Sequence, residues 1–491
     1  MNLEFKNKEN IYLSPYTPTT IAFEKYLKDN FNIIISGYID IEKQGNNIYN
    51  PVKIKNLSVY QIYIVSPNWG NNIYNNLLKY IHKTKLIIVQ KNANNYKKSI
   101  LNFKYIRIID KILMKIINNI LGYFKFKIVK LWTNRIGEFC LENEAFLYKV
   151  KNYKSYQDKN FIVLSYLHEK DLANKTLYNL YRNVFQKYRN IYIFENNFIN
   201  KYLQYLLTNK FIHKKYICDI GQRSNAYELF INKRPIIEFK KQEIVKGKNI
   251  LQKLNIKKPF VCIFARDSQY LDTNFKYHDW SYHDYRDADI NTYELAIKYL
   301  IEKGYSIIRL GSVVKQELTF KHPQCVDYPY SDFQSDFMDI FLVSQCEFAI
   351  GGHSGMLDIC NAFSKPRIGV NHIPIDAPSY STKNDIYIPK KIILDKNYIS
   401  LKKYLELMQN SSLSYFKQKT YEKLNLKIEN NTPLEILMVV KEYLNDYKYT
   451  ENDKYNLERY YKIHSKSKQF SNVKTKIGTQ FLRDNPWFLD D

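Results

Sequence analysis

The chain has 491 residues, of which 45% are hydrophobic and 25% are charged. This composition excludes wholesale disorder, and a content of only 14 Gly and 14 Pro excludes a collagen-like or linker-dominated chain. The net charge of +26 is compatible with a polyanionic partner. Whether it indicates one depends on how the basic residues are distributed along the chain.

The positive charge is concentrated in one segment. Residues 79–131 carry 13 Lys or Arg and one acidic residue, whereas residues 260–374 carry 10 basic and 15 acidic residues. The second segment also holds five of the nine His and six of the 14 Gly. A basic surface and a site for chemistry are therefore expected in different parts of the chain.

The six Cys never occur as CxxC, and no His lies at a clear zinc-ligand spacing to them. This usage indicates a reducing compartment rather than a disulfide framework or a zinc site. The first ten residues lack the apolar segment of a secretory signal, and no run of about 18 apolar residues occurs. A cytoplasmic protein without a transmembrane helix is expected.

Residues 1–95 predict a small Rossmann-like α/β domain. Apolar strands are expected at 11–14, 31–40, 60–65 and 85–89, with helices at 19–29 and 73–82. This alternation predicts a parallel sheet. The first turn, SPYTPTT, has no glycine for close approach to a pyrophosphate, so a structural or assembly role is favoured over cofactor binding.

Residues 96–126 predict a basic amphipathic linker, in which apolar residues and Lys interleave through KILMKIINNILGYFKFK. Two interpretations stay open. The segment is either a solvated helix that bridges domains or, together with the charge of residues 79–131, a contact with an anionic membrane surface or an acidic partner. The second interpretation would place the protein peripherally on the inner face of the cytoplasmic membrane.

Residues 127–245 and 246–400 each repeat the strand–loop–helix pattern of a Rossmann-like lobe. In the first lobe, the helix after the strand FKIVKLW is expected to begin near Glu142, and the Lys-rich stretch 240–258 is expected to be a linker. In the second, a helix over 292–303 is expected to end at Gly304. Residues 401–491 predict a helical segment packed back on the lobes, with a capping box at Thr432 and Glu435.

Three strands of the second lobe end in residues suited to phosphate. FVCIFA is followed by Arg266, SIIRLG contains Arg309, and EFAIGG runs into His353-Ser354-Gly355. Because the carboxyl ends of parallel strands gather at one edge of a sheet, these residues are expected to lie close together. A glycine turn at a helix N-terminus and bidentate arginines predict a diphosphate site there.

The same residues resemble a family of bacterial glycosyltransferases with the motifs RDxxY, YRxxDI, GY..IRxG, DY, DxFL and GxxSG followed by KP. Here they read RDSQY, YRDADI, GYSIIRLG, VDY, DIFL and GGHSG with KP. Upstream, TNRIGEF resembles the family's RIGH-containing loop, with Glu138 where the family more often has His. NTPLEIL and IGTQFL with NPW resemble its closing segments, so the resemblance runs from about residue 127 to the C-terminus.

The resemblance implies an α/β fold with a GT-B-like pair of Rossmann-like lobes: an acceptor lobe over 127–245 and a nucleotide-sugar donor lobe over 246–400. It implies no cofactor beyond the nucleotide-sugar substrate and no obligatory metal. The DxD at Asp287 and Asp289 is expected to cap a helix or pair with Arg. The candidate donor-binding residues are Arg266, Asp267, Arg286, Arg309, Gly311, Asp327, Gly352, Ser354, Gly355 and Asp358, and those of the acceptor-lobe loop are Arg135 and Gly137.

A transferase also needs a general base for the acceptor hydroxyl, and Glu138 and His353 lead as candidates. Each has a structural alternative. His353 is also suited to capping its turn, and Glu138 to complementing the dipole of the helix that follows it. Arg286 is equally suited to a structural pairing with Asp284, Asp287 or Asp289.

The main hypothesis is a metal-independent glycosyltransferase of surface polysaccharide biosynthesis, with a nucleotide-sugar donor and a glycan or lipid-linked acceptor. One alternative is a catalytically silent glycan-binding or scaffold protein. A nucleic-acid-binding protein is less favoured, because the densest charge lies away from the Gly- and His-rich segment and no known nucleic-acid-binding motif occurs. No nucleic-acid partner is therefore expected.

Overall fold

In the computed structural model, the described residues are 9–490 apart from 41–42, 44, 66–69, 93–94, 99–113, 170–171, 209–210, 219, 221–230, 232–233, 275–279, 379, 412–415 and 469. They form two compact units, one built on residues before 110 together with Asn274, and one on the other described residues from 114 onward. Both units are α/β, with strands that pair mostly in parallel. Part of the predicted basic linker, residues 99–113, lies outside the described residues.

The first unit is a six-stranded sheet in the order β3-β2-β1-β4-β5-β6, parallel except for β6. Its strands are β1 (Ile11–Ser14), β2 (Gly37–Ile39), β3 (Ile48–Tyr49), β4 (Gln61–Ile64), β5 (Leu86–Asn92) and β6 (Asn95–Lys98), and its helices are α1 (Pro18–Phe31) and α2 (Gly70–Leu77). The strand expected at 31–40 is shorter, because α1 continues to Phe31 and Asn32 ends it in the left-handed conformation. The glycine-free turn allows Thr17 to cap α1.

The first lobe of the second unit, expected from the sequence to be the acceptor lobe, has a parallel sheet in the order β7-β8-β9. Helix α3 covers 114–123, and the other elements are β7 (Phe126–Lys130), α4 (Ile136–Asn152), α5 (Lys154–Gln157), β8 (Asn160–Leu164), α6 (Lys175–Phe185), β9 (Ile191–Phe194) and α7 (Phe198–Thr208). The expected start of α4 near Glu142 is wrong, since the helix begins at Ile136. The RIGEF sequence is therefore the first turn of a helix rather than a loop before one.

The second lobe, expected from the sequence to bind the donor, is built on a seven-stranded parallel sheet in the order β12-β11-β10-β13-β14-β15-β19. Its strands are β10 (Phe260–Phe264), β11 (Ser306–Arg309), β12 (Cys325–Asp327), β13 (Ala349–Gly351), β14 (Arg367–His372), β15 (Ile386–Pro389) and β19 (Lys476–Ile477). Its helices are α8 (Lys241–Lys253), α9 (Gln269–Asn274), α10 (Glu294–Glu302), α11 (Asp336–Gln345) and α12 (Gly355–Phe363). The pair of Rossmann-like lobes and the α/β fold class expected from the sequence are thereby confirmed.

The stretch 240–258 is not a simple linker, because most of it forms α8. The Glu243 carboxylate accepts the backbone N–H of Lys240 and thereby starts the helix. The Phe341 ring lies so close to Gly247 that a Cβ there would be 2.3 Å from it, and Leu251 is buried. The many Lys residues occupy the solvent-facing side of the helix, so the short apolar stripe is hard to recognise in the sequence.

Residues after 400 form α13 (Leu401–Asn410), α14 (Gln418–Lys423), α15 (Pro433–Tyr443), α16 (Glu451–His464) and α17 (Thr479–Asp484). Thr432 and Glu435 cap α15 as predicted, and Gly304 follows α10 with φ +87. The segment is not purely helical, because β19 joins the large sheet beside β15. A small antiparallel sheet, β17 (Asn397–Tyr398), β16 (Lys391–Leu394) and β18 (Lys427–Glu429), also occurs.

Candidate functional site

The turn between β13 and α12 lies at the carboxyl edge of the large sheet. Ser354 is the N-cap of α12, and its side chain accepts the backbone N–H of Leu357 at 3.5 Å. Gly355 is the first residue of the helix, and Gly352 lies against the carbonyl of Val370. This turn directs the positive end of the α12 dipole toward the sheet edge.

The N-terminus of α4, from the other lobe, reaches the same place. A Cβ on Gly137 would lie 2.6 Å from the Cα of Gly355 and 2.6 Å from a carboxylate oxygen of Asp358. The two helices pack along one another from this point. Two helix N-termini therefore converge at one edge of the site, where their partial positive charges add.

A group of cations surrounds this point. Arg266 follows β10, Arg286 ends a 3-10 helix over Ser281–Arg286, and Lys390 follows β15. Arg266 and Lys390 are 7% and 2% exposed. The Nε atom of Arg286 and the Nη2 atom of Arg266 are buried and have no hydrogen-bond partner among the described residues. Buried donors of this kind are suited to an anionic ligand.

The pKa values of these cations are lowered by burial and by one another's charge. Burial and the Arg286 charge lower the pKa of Arg266 to about 10. Burial, then Arg266 and Arg286, lower the pKa of Lys390 to about 7. Burial lowers the pKa of Arg286 as well, and the Arg135 charge adds to this effect. An anion bound among them would relieve both the repulsion and part of the desolvation.

The nearby carboxylates compensate this charge only in part. Asp287 forms an ion pair with Arg266, and Asp289 caps the 3-10 helix Ile290–Tyr293. These are the capping and Arg-pairing roles expected for the DxD, and neither carboxylate binds Arg286. Asp358 forms an ion pair with Arg367 at 3.4 Å.

Arg135 and Glu138 lie side by side at the start of α4. Arg135 is the residue before the helix, and its guanidinium lies 3.4 Å from Glu138, 3.4 Å from the Tyr282 hydroxyl and over the Trp280 ring. Glu138 is in the first turn, so it complements the helix dipole and is also partly exposed at the cationic edge. Both the catalytic and the structural interpretation of Glu138 are compatible with this position.

His353 lies within the β13–α12 turn. Its Nδ1 atom is 3.3 Å from the Ile373 carbonyl oxygen, and its ring stacks on His372. A carbonyl can only accept, so this bond places the proton of the neutral ring on Nδ1 and the lone pair on Nε2. In the neutral ring, Nε2 is then the nitrogen that is able to accept a proton.

His283 also lies at this edge, in the 3-10 helix that carries Arg286. Burial and then the charges of Arg286 and Arg266 lower the pKa of His283 to about 2. The ring is therefore neutral at pH 7, and its buried Nδ1 atom has no hydrogen-bond partner among the described residues. A neutral imidazole here is suited to hydrogen bonding with a ligand rather than to charge neutralisation.

Two predicted donor-binding residues, Arg309 and Asp327, pair with one another. Arg309 is 1% exposed and forms an ion pair with Asp327 at 2.7 Å, and its Nη2 atom donates to the Gln316 carbonyl. The Asp327 carboxylate also accepts the backbone N–H of Leu318. This pairing favours a structural role for Arg309 and Asp327. The buried Nε atom of Arg309 has no hydrogen-bond partner among the described residues, and a role of the two residues in donor binding stays a prediction.

The remaining predicted residues support loops. Asp267 accepts the backbone N–H groups of Gln269 and Lys315 and so joins the loops after β10 and β11. Gly311 has φ +150, and a Cβ there would lie 2.6 Å from Val314. Both residues shape the loops at the sheet edge, and the Asp267 charge lies close enough to Arg266 to act on its pKa.

Lys390, His283 and Trp280 are not among the residues predicted from the sequence. Lys390 lies in IPKKIIL, where nothing distinguishes it from Lys391. Its Nζ atom donates to the carbonyls of Tyr285 and Asp287, on either side of Arg286. Only the fold brings this lysine to the YRxxDI segment.

Within the described part of the chain, no group of three or more His, Cys, Asp or Glu is arranged to hold a metal ion. A search of the same residues for helices long and apolar enough to cross a membrane finds none.

No protein-family model matches the chain, and no curated protein matches it in sequence. Among solved structures it is similar to Escherichia coli ADP-heptose LPS heptosyltransferase II, with a TM-score of 0.36 and 12% identity over 65% of this chain and 99% of that one. For the glycosyl transferase family 9 protein of Veillonella parvula DSM 2008, the TM-score is 0.36 and the identity 10%. The match covers 66% of this chain and 98% of that one. For the iron-containing dodecameric glycosyltransferase TibC of enterotoxigenic E. coli H10407, the TM-score is 0.31 and the identity 12%. The match covers 66% of this chain and 77% of that one.

Proposed function

We propose that the chain is a glycosyltransferase that moves a sugar from a nucleotide-activated donor to a glycan or lipid-linked acceptor of surface polysaccharide biosynthesis. The observation that carries the proposal is the cationic group of Arg135, Arg266, Arg286 and Lys390 at two converging helix N-termini. Such a group matches the diphosphate that a nucleotide-sugar donor contains.

In the transfer step, the acceptor oxygen attacks the anomeric carbon of the sugar. The bond from that carbon to the diphosphate oxygen breaks, and the diphosphate leaves with the electron pair. Negative charge therefore grows on the diphosphate, where Arg266, Arg286 and the helix dipoles oppose it. The proposal requires no metal ion, because these groups supply the neutralisation themselves.

The acceptor hydroxyl must lose a proton during this step. His353 presents Nε2 as a proton acceptor, and Glu138 lies in the first turn of α4 beside Arg135. We assign the general base to one of these two residues. Both lie at the helix ends that border the cationic group, and a general base has to lie within hydrogen-bond reach of the acceptor hydroxyl.

The direct test is a screen of nucleotide sugars and nucleoside diphosphates by thermal shift, followed by mass detection of released nucleoside diphosphate. At least one donor should raise the melting temperature and be turned over when acceptor or water is present. A matched pair of variants, Arg266→Ala in the site and Arg182→Ala in a surface ion pair with Glu195, separates specific from general effects. The absence of any shift with every nucleotide would contradict the proposal, and binding without turnover would favour a catalytically silent glycan-binding protein.

A further inference from the structure

Helix α3 presents apolar side chains to solvent. Ile116, Ile120 and Tyr123 follow the i, i+4, i+7 spacing of one helix side, and all three are exposed, Tyr123 by 83%. The opposite side packs on the sheet through Leu121 and through Asn118, whose amide bonds to the backbone of Phe211 and His213. The buried side is apolar, as in an ordinary surface helix, but the outer side carries apolar side chains as well.

Aromatic rings extend this apolar side. Ring centroids are 4.9 Å apart for Tyr123 and Phe124, 6.3 Å for Phe124 and Phe126, and 5.6 Å for Phe126 and Tyr192. Phe124 and Tyr192 are exposed. The rings thus form a continuous row from the end of α3 to β9.

Helix α7 adds to the same side of the acceptor lobe. It shares a buried cluster with α3, through Leu203 and Leu206 against Leu121 and Ile128, so both helices cover one side of the three-stranded sheet. At the start of α7, Phe198 is 79% exposed and Ile199 is exposed as well. The outer apolar face is defined here as Ile116, Ile120, Tyr123, Phe124, Tyr192, Phe198 and Ile199.

The surroundings of the outer apolar face are strongly basic. The described residues of 114–130 and 198–217 contain seven Lys and no Asp or Glu. The Lys127 ammonium group donates to the Lys215 carbonyl, and burial and then the Lys159 charge lower the pKa of Lys127, so further lysines lie beside it at the edge of this region. Lysines that flank exposed aliphatic and aromatic side chains match the anionic headgroups and acyl boundary of a lipid bilayer.

We propose that the outer apolar face docks the protein on an anionic phospholipid membrane. The aliphatic and aromatic side chains enter the boundary between headgroups and acyl chains, and the flanking lysines bind lipid phosphates. Helix α7 begins where β9 ends, at the same sheet edge as Arg135, so the docked face reaches the edge that holds the candidate site. Docking does not depend on the proposed transfer, although it would bring a lipid-linked acceptor within reach.

The test is co-sedimentation of the full chain with two kinds of vesicle. One kind contains phosphatidylcholine alone, and the other also contains an anionic lipid, phosphatidylglycerol, at about 30 mol%. Binding should occur with the anionic vesicles and weaken at high salt. One triple variant combines Ile120→Ser, Tyr123→Ser and Phe198→Ser, and its affinity for anionic vesicles should fall by about tenfold or more. A second triple variant, Lys115→Gln with Lys125→Gln and Lys214→Gln, should show a loss of the same size. The control is Leu434→Ser with Tyr455→Ser, which removes exposed apolar side chains on α15 and α16.

Circular dichroism melting of each variant establishes that the fold is retained. Three results would overturn the proposal: no binding to anionic vesicles, equal loss of binding in the control variant, or a dimer in light scattering that the Tyr123→Ser change converts to monomer. The last result would assign the face to a second copy of the chain. None of these outcomes bears on diphosphate binding, so failure of docking and failure of the proposed function remain distinguishable.

Discussion

Gly137 and Gly355 contact one another through their backbones. A Cβ on Gly355 would lie 2.8 Å from the Gly137 nitrogen, and a Cβ on Gly137 would lie 2.6 Å from the Gly355 Cα. Only residues without side chains permit this approach, and it brings the N-termini of α4 and α12 together. The contact between the lobes thus creates the positive edge on which the proposed diphosphate site depends.

The change Gly355→Ala should therefore damage both stability and binding. The added methyl group must displace backbone, which costs about 1–3 kcal/mol in unfolding free energy, and the separated helix ends should hold a diphosphate less well. Urea unfolding and calorimetric titration with inorganic pyrophosphate measure the two effects. Gly45→Ala is the control, because the nearest atom to a Cβ there is a side-chain carbon at 3.4 Å. Unchanged stability and affinity in Gly355→Ala would disprove the role of this contact.

Lys390 should make stability depend on pH in the alkaline range. Its pKa is about 7 in the folded protein against 10.5 ordinarily, so between these values the unfolded chain binds more protons. The quantity to follow is the unfolding free energy of the native protein minus that of Lys390→Met. This difference should rise by up to about 1.4 kcal/mol per pH unit from pH 7 to 9.

Lys391→Met is the matched control for this measurement. The pKa of Lys391 is raised above 10.5, with its ion pairs to Glu429 and Glu435 outweighing its burial, so it stays protonated in both states over the same range. Its stability difference from the native protein should be constant from pH 7 to 9. A constant difference for Lys390→Met as well would show that Lys390 is not a buried, deprotonating group.

Arg309 should matter for stability rather than for ligand binding. Arg309→Met leaves Asp327 without its partner in a buried position, which should cost about 3–5 kcal/mol in unfolding free energy. The double variant Arg309→Met with Asp327→Asn should recover part of this loss, and pyrophosphate affinity of the folded protein should be unchanged. A stable Arg309→Met variant that has lost pyrophosphate binding would restore the role expected from the sequence.

The general base can be identified by comparing His353→Ala with Glu138→Gln. Loss of a general base should lower kcat by about 100- to 10,000-fold while nucleotide affinity stays within twofold, about the scatter of such measurements. Single-turnover kinetics with the donor found by screening measures both quantities. If neither change lowers kcat, the base lies elsewhere.

The parts of the site that are local in sequence could be predicted. The turn before α12, the cap at Thr432 and the strand ends at Arg266 and Arg309 follow from short patterns whose physical meaning does not depend on distant residues. The ion pair of Arg309 with Asp327 could not, because it depends on the register of β11 beside β12. Lys390 was missed for the same reason, since only the fold brings β15 to the segment around Arg286.

The central claim is that Arg286 and its neighbouring cations bind the diphosphate of a donor, and calorimetric titration with inorganic pyrophosphate tests it without knowledge of the nucleotide. Arg286→Gln removes a partly buried charge, and Arg182→Gln removes an exposed one from a surface ion pair as the control. The expected result is a loss of affinity of about 10- to 100-fold for Arg286→Gln and less than about twofold for Arg182→Gln. Equal affinities for the native protein and Arg286→Gln would contradict the account.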